Sequence, residues 1–257
     1  MTQGQTSEPV KSADRALTVL DHIGERRSVT FADLVADLGL PRSSAHGLLR
    51  TLVARGWLDL DPRTREYTLG LRVWQLGQRY LGHRDLASVA APIMDDLAQE
   101  IGETVQLARL DGIGSVYIAI SEGPRPMRLA SSVGMQLHAH GTGIGKALLS
   151  QLPDDEMRRR LTGVVLPQFT ERTVTEPGRL CTLIGQVRDQ GFALDDEEYL
   201  PGCRCVAVPL LLSGALGHPI AALSTTAPVF RCGDDWPERP LLALRRGAAL
   251  IRDRLGG

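Results

Sequence analysis

The segment from Leu40 to Trp57 carries the side chains whose types and spacing are best suited to binding a charged, hydrogen-bonding polymer. Its polar and cationic residues recur on one side of a predicted helix: Arg42, Ser43, Ser44, His46 and Arg50. Hydroxyl, imidazole and guanidinium groups near the N-terminus of a helix reach base edges and phosphates when that helix enters the major groove. The pattern therefore predicts a recognition helix for double-stranded DNA.

An apolar stripe on the same segment is expected to bury the opposite face. It recurs at the three- and four-residue spacing of a helix and consists of Ala45, Leu48, Leu49, Leu52 and Val53. Thr30 with Asp33 predicts a capping box that opens the preceding helix, and Gly39 with Pro41 ends it. Residues 32–53 therefore predict a helix-turn-helix, with an ordinary helical hairpin as the alternative.

A two-stranded hairpin is predicted directly after Gly56. Apolar and polar side chains alternate in residues 57–60 and again in residues 66–69, and a polar turn that contains Pro62 separates the two segments. Arg63 and Arg65 stand at the predicted tip, where the wing of a winged helix meets the phosphate backbone. The hairpin favours DNA binding over a helical hairpin, although both arginines also fit a solvated turn.

The overall composition is that of a globular protein and offers no general electrostatic attraction to DNA. The chain has 257 residues, 43% of them hydrophobic, enough for one large domain or two modest ones. Its net charge is -1, from 29 basic and 30 acidic residues. Any DNA contact must therefore be local.

The sequence predicts neither a membrane protein nor a secreted one. Residues 1–9 are polar and lack the features of a signal peptide, and the apolar run near Cys205 to Leu212 is far shorter than the roughly 20 residues that span a bilayer. We therefore expect a cytoplasmic protein. The cysteines follow neither a secreted-disulfide nor a zinc spacing, so we expect free thiols, no metal and no cofactor at Cys181, Cys203, Cys205 and Cys232.

The second half predicts an α+β domain with a helix-flanked, largely antiparallel sheet. The predicted ranges are 9–72 for the DNA-binding domain, 73–85 for a linker helix and 86–257 for this second domain. Helices are expected over residues 86–101, 143–152, 154–161, 177–190 and 240–255. Strands are expected over residues 104–110, 115–121, 127–133, 192–197, 203–212 and 220–226.

The glycine-rich stretch from Leu137 to Ala147 fails the test for a nucleotide-binding phosphate loop. His140 stands where that loop needs glycine, and Ala147 follows Lys146 where serine or threonine is needed. A glycine-rich turn that leads into a helix nevertheless leaves backbone N–H groups where a carboxylate can dock. A tight turn packed against the sheet is the alternative.

Cys203 and Cys205 lie two apart on a predicted strand, so both thiols share one face. Buried apolar cysteine is the commoner interpretation, and the acidic run that begins at Asp195 is typical of a solvated strand end. A catalytic thiol needs a basic partner, for which His140 is the candidate. The alternative functions are therefore a thiol-dependent enzyme with Cys205 as nucleophile, His140 as base and Asp195 orienting it, or a redox or metal switch through Cys203 and Cys205.

Several segments resemble the IclR family of bacterial transcriptional regulators, and the resemblance covers nearly the whole chain. These segments are residues 11–17, 38–46, 67–70, 140–147, 191–198 and 202–209. The resemblance implies an N-terminal winged helix-turn-helix, a linker helix and a C-terminal effector domain with a GAF- and PAS-like sheet. It also implies homodimers that associate into tetramers, and a ligand-responsive regulator rather than an enzyme.

The same resemblance implies a pocket for a small organic effector, which we expect to bear a carboxylate. The implied polar or backbone contacts are Gly143, Ile144, Asp195, Cys205, Ser224 and Thr226. The implied apolar wall consists of Leu129, Leu137 and Cys203. Two positions depart from the family: Gly47 stands where an arginine or another long polar residue is frequent, and Ile144 is bulkier than the usual alanine, which would narrow the pocket.

Overall fold

The computed structural model describes residues 10–80, 86–126, 131–211 and 220–256. The chain divides between His83 and Arg84 into two compact units. The finer division into ranges 9–72, 73–85 and 86–257 stays a prediction. No helix among the described residues is both long enough and apolar enough to cross a membrane.

Within residues 10–80, helices and a small antiparallel sheet form the N-terminal unit. The helices are α1 (Lys11–Arg26), α2 (Phe31–Leu38), α3 (Arg42–Ala54) and α4 (Leu71–Tyr80). The strands are β1 (Val29–Thr30), β2 (Leu58–Leu60) and β3 (Glu66–Leu69), in the order β1-β3-β2. The predicted helix-turn-helix and the hairpin after it are confirmed.

The residues predicted to begin and end α2 do so in the structure. The Thr30 hydroxyl accepts a hydrogen bond from the Asp33 N–H at 3.3 Å, while the Asp33 carboxylate accepts one from the Thr30 N–H at 3.4 Å. This capping box satisfies amides that have no partner inside the helix. Gly39 ends α2 in the left-handed region, with φ of 59°, and Pro41 is the N-cap residue before α3.

The apolar stripe of α3 packs into the core of this unit, as predicted. Ala45, Leu49 and Leu52 are buried, and Leu49 belongs to the same cluster as Val19 and Leu34. Burying each of the two leucine side chains contributes about 1.5–3 kcal/mol. Because the stripe faces inward, the polar side of α3 is turned to solvent.

The described part of the C-terminal unit is built on a six-stranded antiparallel sheet. Its strands are β4 (Val105–Asp111), β5 (Gly114–Ser121), β6 (Gln136–His138), β7 (Ala193–Asp196), β8 (Cys203–Leu210) and β9 (Ala221–Pro228). Their order is β6-β5-β4-β9-β8-β7. The helices are α5 (Leu86–Ile101), α6 (Gly143–Leu149), α7 (Asp154–Leu161), α8 (Pro177–Gln190) and α9 (Glu238–Gly256). This arrangement confirms the predicted α+β class.

The two faces of the sheet have different roles. Helices α5 and α9 cover one face, where Met94 and Leu244 pack with Val206 and Leu223. On the other face α6 packs through Ile144 against the alternate residues of the strands. Since neighbouring residues of a strand point to opposite faces, β4, β8 and β9 each place one set of side chains toward α5 and α9 and the other set toward α6.

The predicted strand over residues 127–133 is wrong at residues 131–133. Residues 127–130 of the predicted strand 127–133 lie outside the described residues, and residues 131–133 are not a strand. The chain turns at residues 132–135 instead, where the Met135 N–H donates to the Ser132 carbonyl at 3.0 Å and Gly134 has φ of 87°. The strand that pairs with β5 begins later, at Gln136.

Candidate nucleic-acid interface and ligand pocket

The exposed side of α3 faces the hairpin across a groove of about 680 Å³. Three of the predicted DNA-contacting residues line this groove, namely Ser43, His46 and Arg50. Arg42 and Ser44 are also exposed but do not line it. The remaining lining residues are Gly47, Val53, Ala54, Leu60 and Tyr67. The groove thus has an apolar wall and a polar wall that includes one permanent cation.

The hairpin carries both predicted arginines on its exposed tip. The Asp61 carboxylate accepts hydrogen bonds from the backbone N–H of Arg63 at 2.7 Å and of Thr64 at 3.3 Å, which fixes the turn. Arg65 has φ of 61°, and its N–H donates to the Asp61 carbonyl. Arg63 and Arg65 are exposed and lie outside the lining of the groove, so a role for them in phosphate contact stays a prediction.

Sequence reasoning missed Tyr67 and Leu60 as parts of the groove. Both lie on the hairpin, and Tyr67 pairs with Leu60 in the antiparallel ladder. The alternation of the strands predicted the hairpin, but it did not indicate which face turns toward α3. That choice depends on how the hairpin packs against the helices.

The C-terminal unit holds a cavity of about 320 Å³ between α6, the sheet and the turn that follows β7. Six of the predicted ligand-binding residues line it: Leu137, Ile144, Asp195, Cys203, Cys205 and Thr226. Gly143 packs against Cys205, one of these lining residues, because a β-carbon added at Gly143 would lie 2.9 Å from the Cys205 sulfur. The structure therefore brings together the glycine-rich turn, the acidic strand end and the cysteine strand.

Besides Gly143, which lies behind Cys205, two of the nine predicted residues are not placed on the cavity lining. The Ser224 hydroxyl is buried and donates to the Gln106 side-chain oxygen at 3.1 Å, so Ser224 holds a lining residue rather than lining the cavity itself. Leu129 lies outside the described residues.

Seven lining residues were not predicted. They are Gln106, Tyr117, Ser131, Met135, Thr142, Tyr199 and Leu200. Gln106 had a usable signal, since it is the polar residue between two core positions, Val105 and Leu107, on a strand. Most of the others occupy strands and turns that come together only through the tertiary fold.

The amides of Gly145 and Lys146, which follow the glycine-rich turn, donate hydrogen bonds inside the protein. The Thr142 hydroxyl accepts from the Gly145 N–H at 3.2 Å, and the Thr142 carbonyl accepts from the Lys146 N–H at 3.0 Å. These two amides are therefore unavailable to a ligand carboxylate, and the predicted contact of a carboxylate with Gly143 or Ile144 stays a prediction.

Asp195 is the acidic group of the cavity. Burial raises its pKa from 3.8 to about 6, against the opposing effect of hydrogen bonds from the turn that follows. One Asp195 oxygen accepts from the N–H of Glu198 at 2.7 Å. Glu198 in turn pairs with the Lys146 ammonium at 2.5 Å, and only 1% of the Lys146 side chain is exposed. Asp195 therefore connects the cavity to the buried ion pair of Lys146 and Glu198. Its raised pKa means that the Asp195 carboxyl is protonated more readily than an exposed aspartate.

The described residues do not assemble the alternative thiol-enzyme site. Burial raises the pKa of Cys205 to about 12, the opposite of what a nucleophilic thiol needs. His140 does not line the cavity, and its Nε2 lies 2.9 Å from the Pro167 carbonyl oxygen. Asp195 caps the turn after β7 instead of orienting His140.

The described residues form neither a metal-binding cluster nor a disulfide between Cys203 and Cys205. They contain no cluster of three or more histidine, cysteine or acidic side chains that could hold a metal ion. Cys203 and Cys205 are free thiols.

Two known sequence families match the two parts of the chain. Residues 12–62 match the IclR helix-turn-helix domain, and residues 78–251 match the family described as bacterial transcriptional regulator IclR C-terminal. The HTH-type transcriptional regulator XynR of Escherichia coli is 34% identical over 226 residues, which are 88% of this chain and 89% of XynR. The transcriptional repressor IclR of Escherichia coli is 32% identical over 229 residues, 88% of this chain and 83% of that protein.

Solved structures resemble the chain over nearly its full length. The IclR transcriptional regulator of Alicyclobacillus acidocaldarius has a TM-score of 0.82 and 27% identity, covering 97% of this chain and 100% of that one. An IclR homolog from Microbacterium hydrocarbonoxydans, crystallised with 4-hydroxybenzoate, has a TM-score of 0.81 and 26% identity, covering 95% and 99%.

Proposed function

Because the chain belongs to the IclR family of bacterial transcriptional regulators, we propose a specific division of labour between its two sites. The groove face of α3 reads operator DNA, and a small carboxylate-bearing effector in the C-terminal cavity changes the affinity for that DNA. The observation that carries the proposal is the exposure of Ser43, His46 and Arg50 together on one groove. The relatives are regulators, so we propose no catalytic activity.

In this proposal the contacts divide by chemistry. Ser43, His46 and Arg50 approach base edges in the major groove, while Arg63 and Arg65 on the hairpin contact phosphates. Arg42 and Ser44 stand at the N-terminus of α3, where they are suited to the phosphates that flank the groove. The backbone contacts supply affinity and the base contacts supply specificity.

The direct test is selection of duplexes from a random DNA pool by the purified protein. We expect enrichment of a symmetric pair of half-sites, because a dimer presents two copies of α3. Recovery of unenriched DNA, with an affinity that depends on salt alone, would contradict sequence-specific reading.

Gly47 offers a gain-of-function test. It is exposed on the groove, and nothing lies within 4 Å of a β-carbon built there. We expect Gly47→Arg to tighten duplex binding by roughly 3–10-fold and to steepen the salt dependence by about one unit per protomer, because it adds a cationic contact. Fluorescence anisotropy over a salt series measures both effects.

Gly47→Ala is the matched control for that variant. It stabilises the helix by up to about 1 kcal/mol without adding a charge. If Gly47→Ala and Gly47→Arg bind DNA equally well, the gain comes from helix stability and position 47 does not face DNA.

We propose an effector with a carboxylate and a compact apolar body. The cavity volume of about 320 Å³ suits a small ring or branched acid, and Met135, Leu137 and Leu200 supply apolar contacts. The solved relative with 4-hydroxybenzoate supports this class. Gly143 offers the backbone contact, while Asp195 must be neutral or must accept a hydrogen bond from a ligand hydroxyl.

The raised pKa of Asp195 gives carboxylate binding a pH dependence. Ionised Asp195 repels a carboxylate, so affinity should rise as the pH falls through about 6. We expect 4-hydroxybenzoate to bind roughly 3–10-fold more tightly at about pH 5 than at about pH 8. The neutral isostere 4-hydroxybenzamide should show little change, and calorimetry measures both ligands.

Asp195→Asn isolates the group responsible. The asparagine oxygen can still accept from the turn, so the fold is kept while the titration is removed. Because the folded pKa is raised, the wild type loses stability as the pH rises from 3.8 to about 6, and the variant should not show that loss from this site. A pH effect on 4-hydroxybenzoate that persists in Asp195→Asn would contradict the assignment.

We also propose a homodimer that associates into tetramers in the cytoplasm. Helix α4 supports self-association, since Leu71 is 65% exposed and Trp74 is 62% exposed one turn later. Exposed apolar side chains at that spacing favour a protein contact.

The effector changes DNA binding because it binds the DNA-competent and the DNA-incompetent arrangements of the protein with different affinities.

A further inference from the structure

Phe31 connects the core of the N-terminal unit to the DNA-reading side of α3. It is the first residue of α2, half-buried, and packs against the cluster that contains Leu34 and Leu49. The capping box of Thr30 and Asp33 fixes the backbone on either side of it. The ring of Phe31 therefore has a defined position.

Two of the proposed DNA-contacting side chains, those of His46 and Arg42, pack against the Phe31 ring. The His46 imidazole stacks on it, with ring centroids 4.0 Å apart and an interplanar angle of 22°. The Arg42 guanidinium carbon lies 5.8 Å from the same centroid. Arg42 and His46 are four residues apart, so they are neighbours on one face of α3.

This contact limits the conformations open to both side chains. An exposed histidine or arginine otherwise samples several rotamers, and ordering it on binding costs free energy. Stacking and cation–π attraction already favour one arrangement in the free protein. Phe31 does not line the groove, so its influence is exerted through the two side chains.

We propose that Phe31 is a positioning residue for DNA recognition, holding the His46 imidazole and the Arg42 guanidinium in a pre-organised arrangement for the operator. This inference rests on the proposed function of α3. It predicts that Phe31 affects discrimination between DNA sequences more strongly than it affects non-specific binding, since the base contact proposed for His46 needs a defined geometry whereas the phosphate contact proposed for Arg42 can be made from several.

The test compares the affinity for a duplex selected by the wild type with the affinity for a scrambled duplex. We expect Phe31→Leu to lower the ratio of the two affinities by roughly 3–10-fold while changing non-specific affinity by less than about twofold. Phe31→Tyr keeps the ring and should keep the ratio. In Phe31→Leu/His46→Ala the two losses should be less than additive, because both remove one stacked pair.

Leu38→Ala is the control for lost core packing. Leu38 is half-buried on the same helix and packs against the same cluster. If Leu38→Ala lowers the specificity ratio as much as Phe31→Leu at equal thermal stability, or if the Phe31 and His46 losses are additive, the proposal is overturned. If the wild type itself selects no sequence, the proposed function fails instead.

A second measurement works on the intact protein and does not depend on how Phe31→Leu folds. A ring stacked on the face of Phe31 should give upfield-shifted His46 ring-proton resonances in the proton NMR spectrum, assigned by their loss in His46→Gln. Shifts typical of an unstacked histidine would overturn the proposal.

Discussion

Arg50→Ala lowers affinity for the selected operator by roughly 5–150-fold, the expected cost of about 1–3 kcal/mol for a lost arginine contact. Arg50 is exposed on α3 and is the one arginine among the residues that line the groove. Its apolar neighbour Leu49 is buried, so the substitution removes a surface cation and leaves the core of the unit intact. Anisotropy titration measures the loss, and thermal melting checks that both units stay folded.

Arg55→Ala is the matched control for that result. Arg55 is also exposed, at the C-terminal cap of α3, but it does not line the groove. We expect it to weaken binding only slightly and without regard to DNA sequence. Equal losses in the two variants would mean that the face of α3 is attracted to DNA only through its general charge.

Gly145→Ala disrupts the C-terminal unit, with an expected loss of about 3 kcal/mol or more in its free energy of unfolding. A β-carbon at this position would lie 2.2 Å from the Ala139 Cα and 2.3 Å from its carbonyl oxygen. Both atoms belong to the backbone, so no side-chain rotation relieves the clash. Chemical denaturation followed by circular dichroism measures the loss, which should extend to ligand binding because Ile144 and Thr142 line the cavity.

Gly185→Ala tests whether that effect comes from the clash or from the residue type. Gly185 lies inside α8 with nothing within 4 Å of a β-carbon built there. Alanine there should stabilise the unit by up to about 1 kcal/mol through helix propensity. A Gly145→Ala protein as stable as the wild type would show that the turn before α6 is not packed as described.

The elements that follow from local rules were predictable. The stripe containing Ala45 and Leu49 predicted which side of α3 is buried, and strand alternation predicted that Cys203 and Cys205 share a face. The capping box at Thr30 fixed the start of α2. In each case the decisive interactions lie within a few residues of one another.

The features that escaped prediction depend on distant parts of the chain. Gln106 and Ser224 meet across the pairing of β4 with β9, and that register turns Ser224 toward Gln106 instead of leaving it on the cavity lining. The turn at Gly134, closed by the hydrogen bond from the Met135 N–H to the Ser132 carbonyl, stands where the last residues of the predicted third strand were expected. Burial of Lys146 against Glu198 likewise joins segments that are separated in sequence.

The most direct measurement is the affinity for a selected operator duplex with and without a ligand that raises the melting temperature of the protein. Any ligand that binds the folded state raises that temperature, but only one with different affinity for the DNA-competent and incompetent states changes DNA binding. We predict a change of at least about fivefold, typical of a coupling free energy of 1 kcal/mol or more. An operator affinity unchanged at saturating ligand, for every ligand that stabilises the C-terminal unit, would contradict a ligand-responsive regulator.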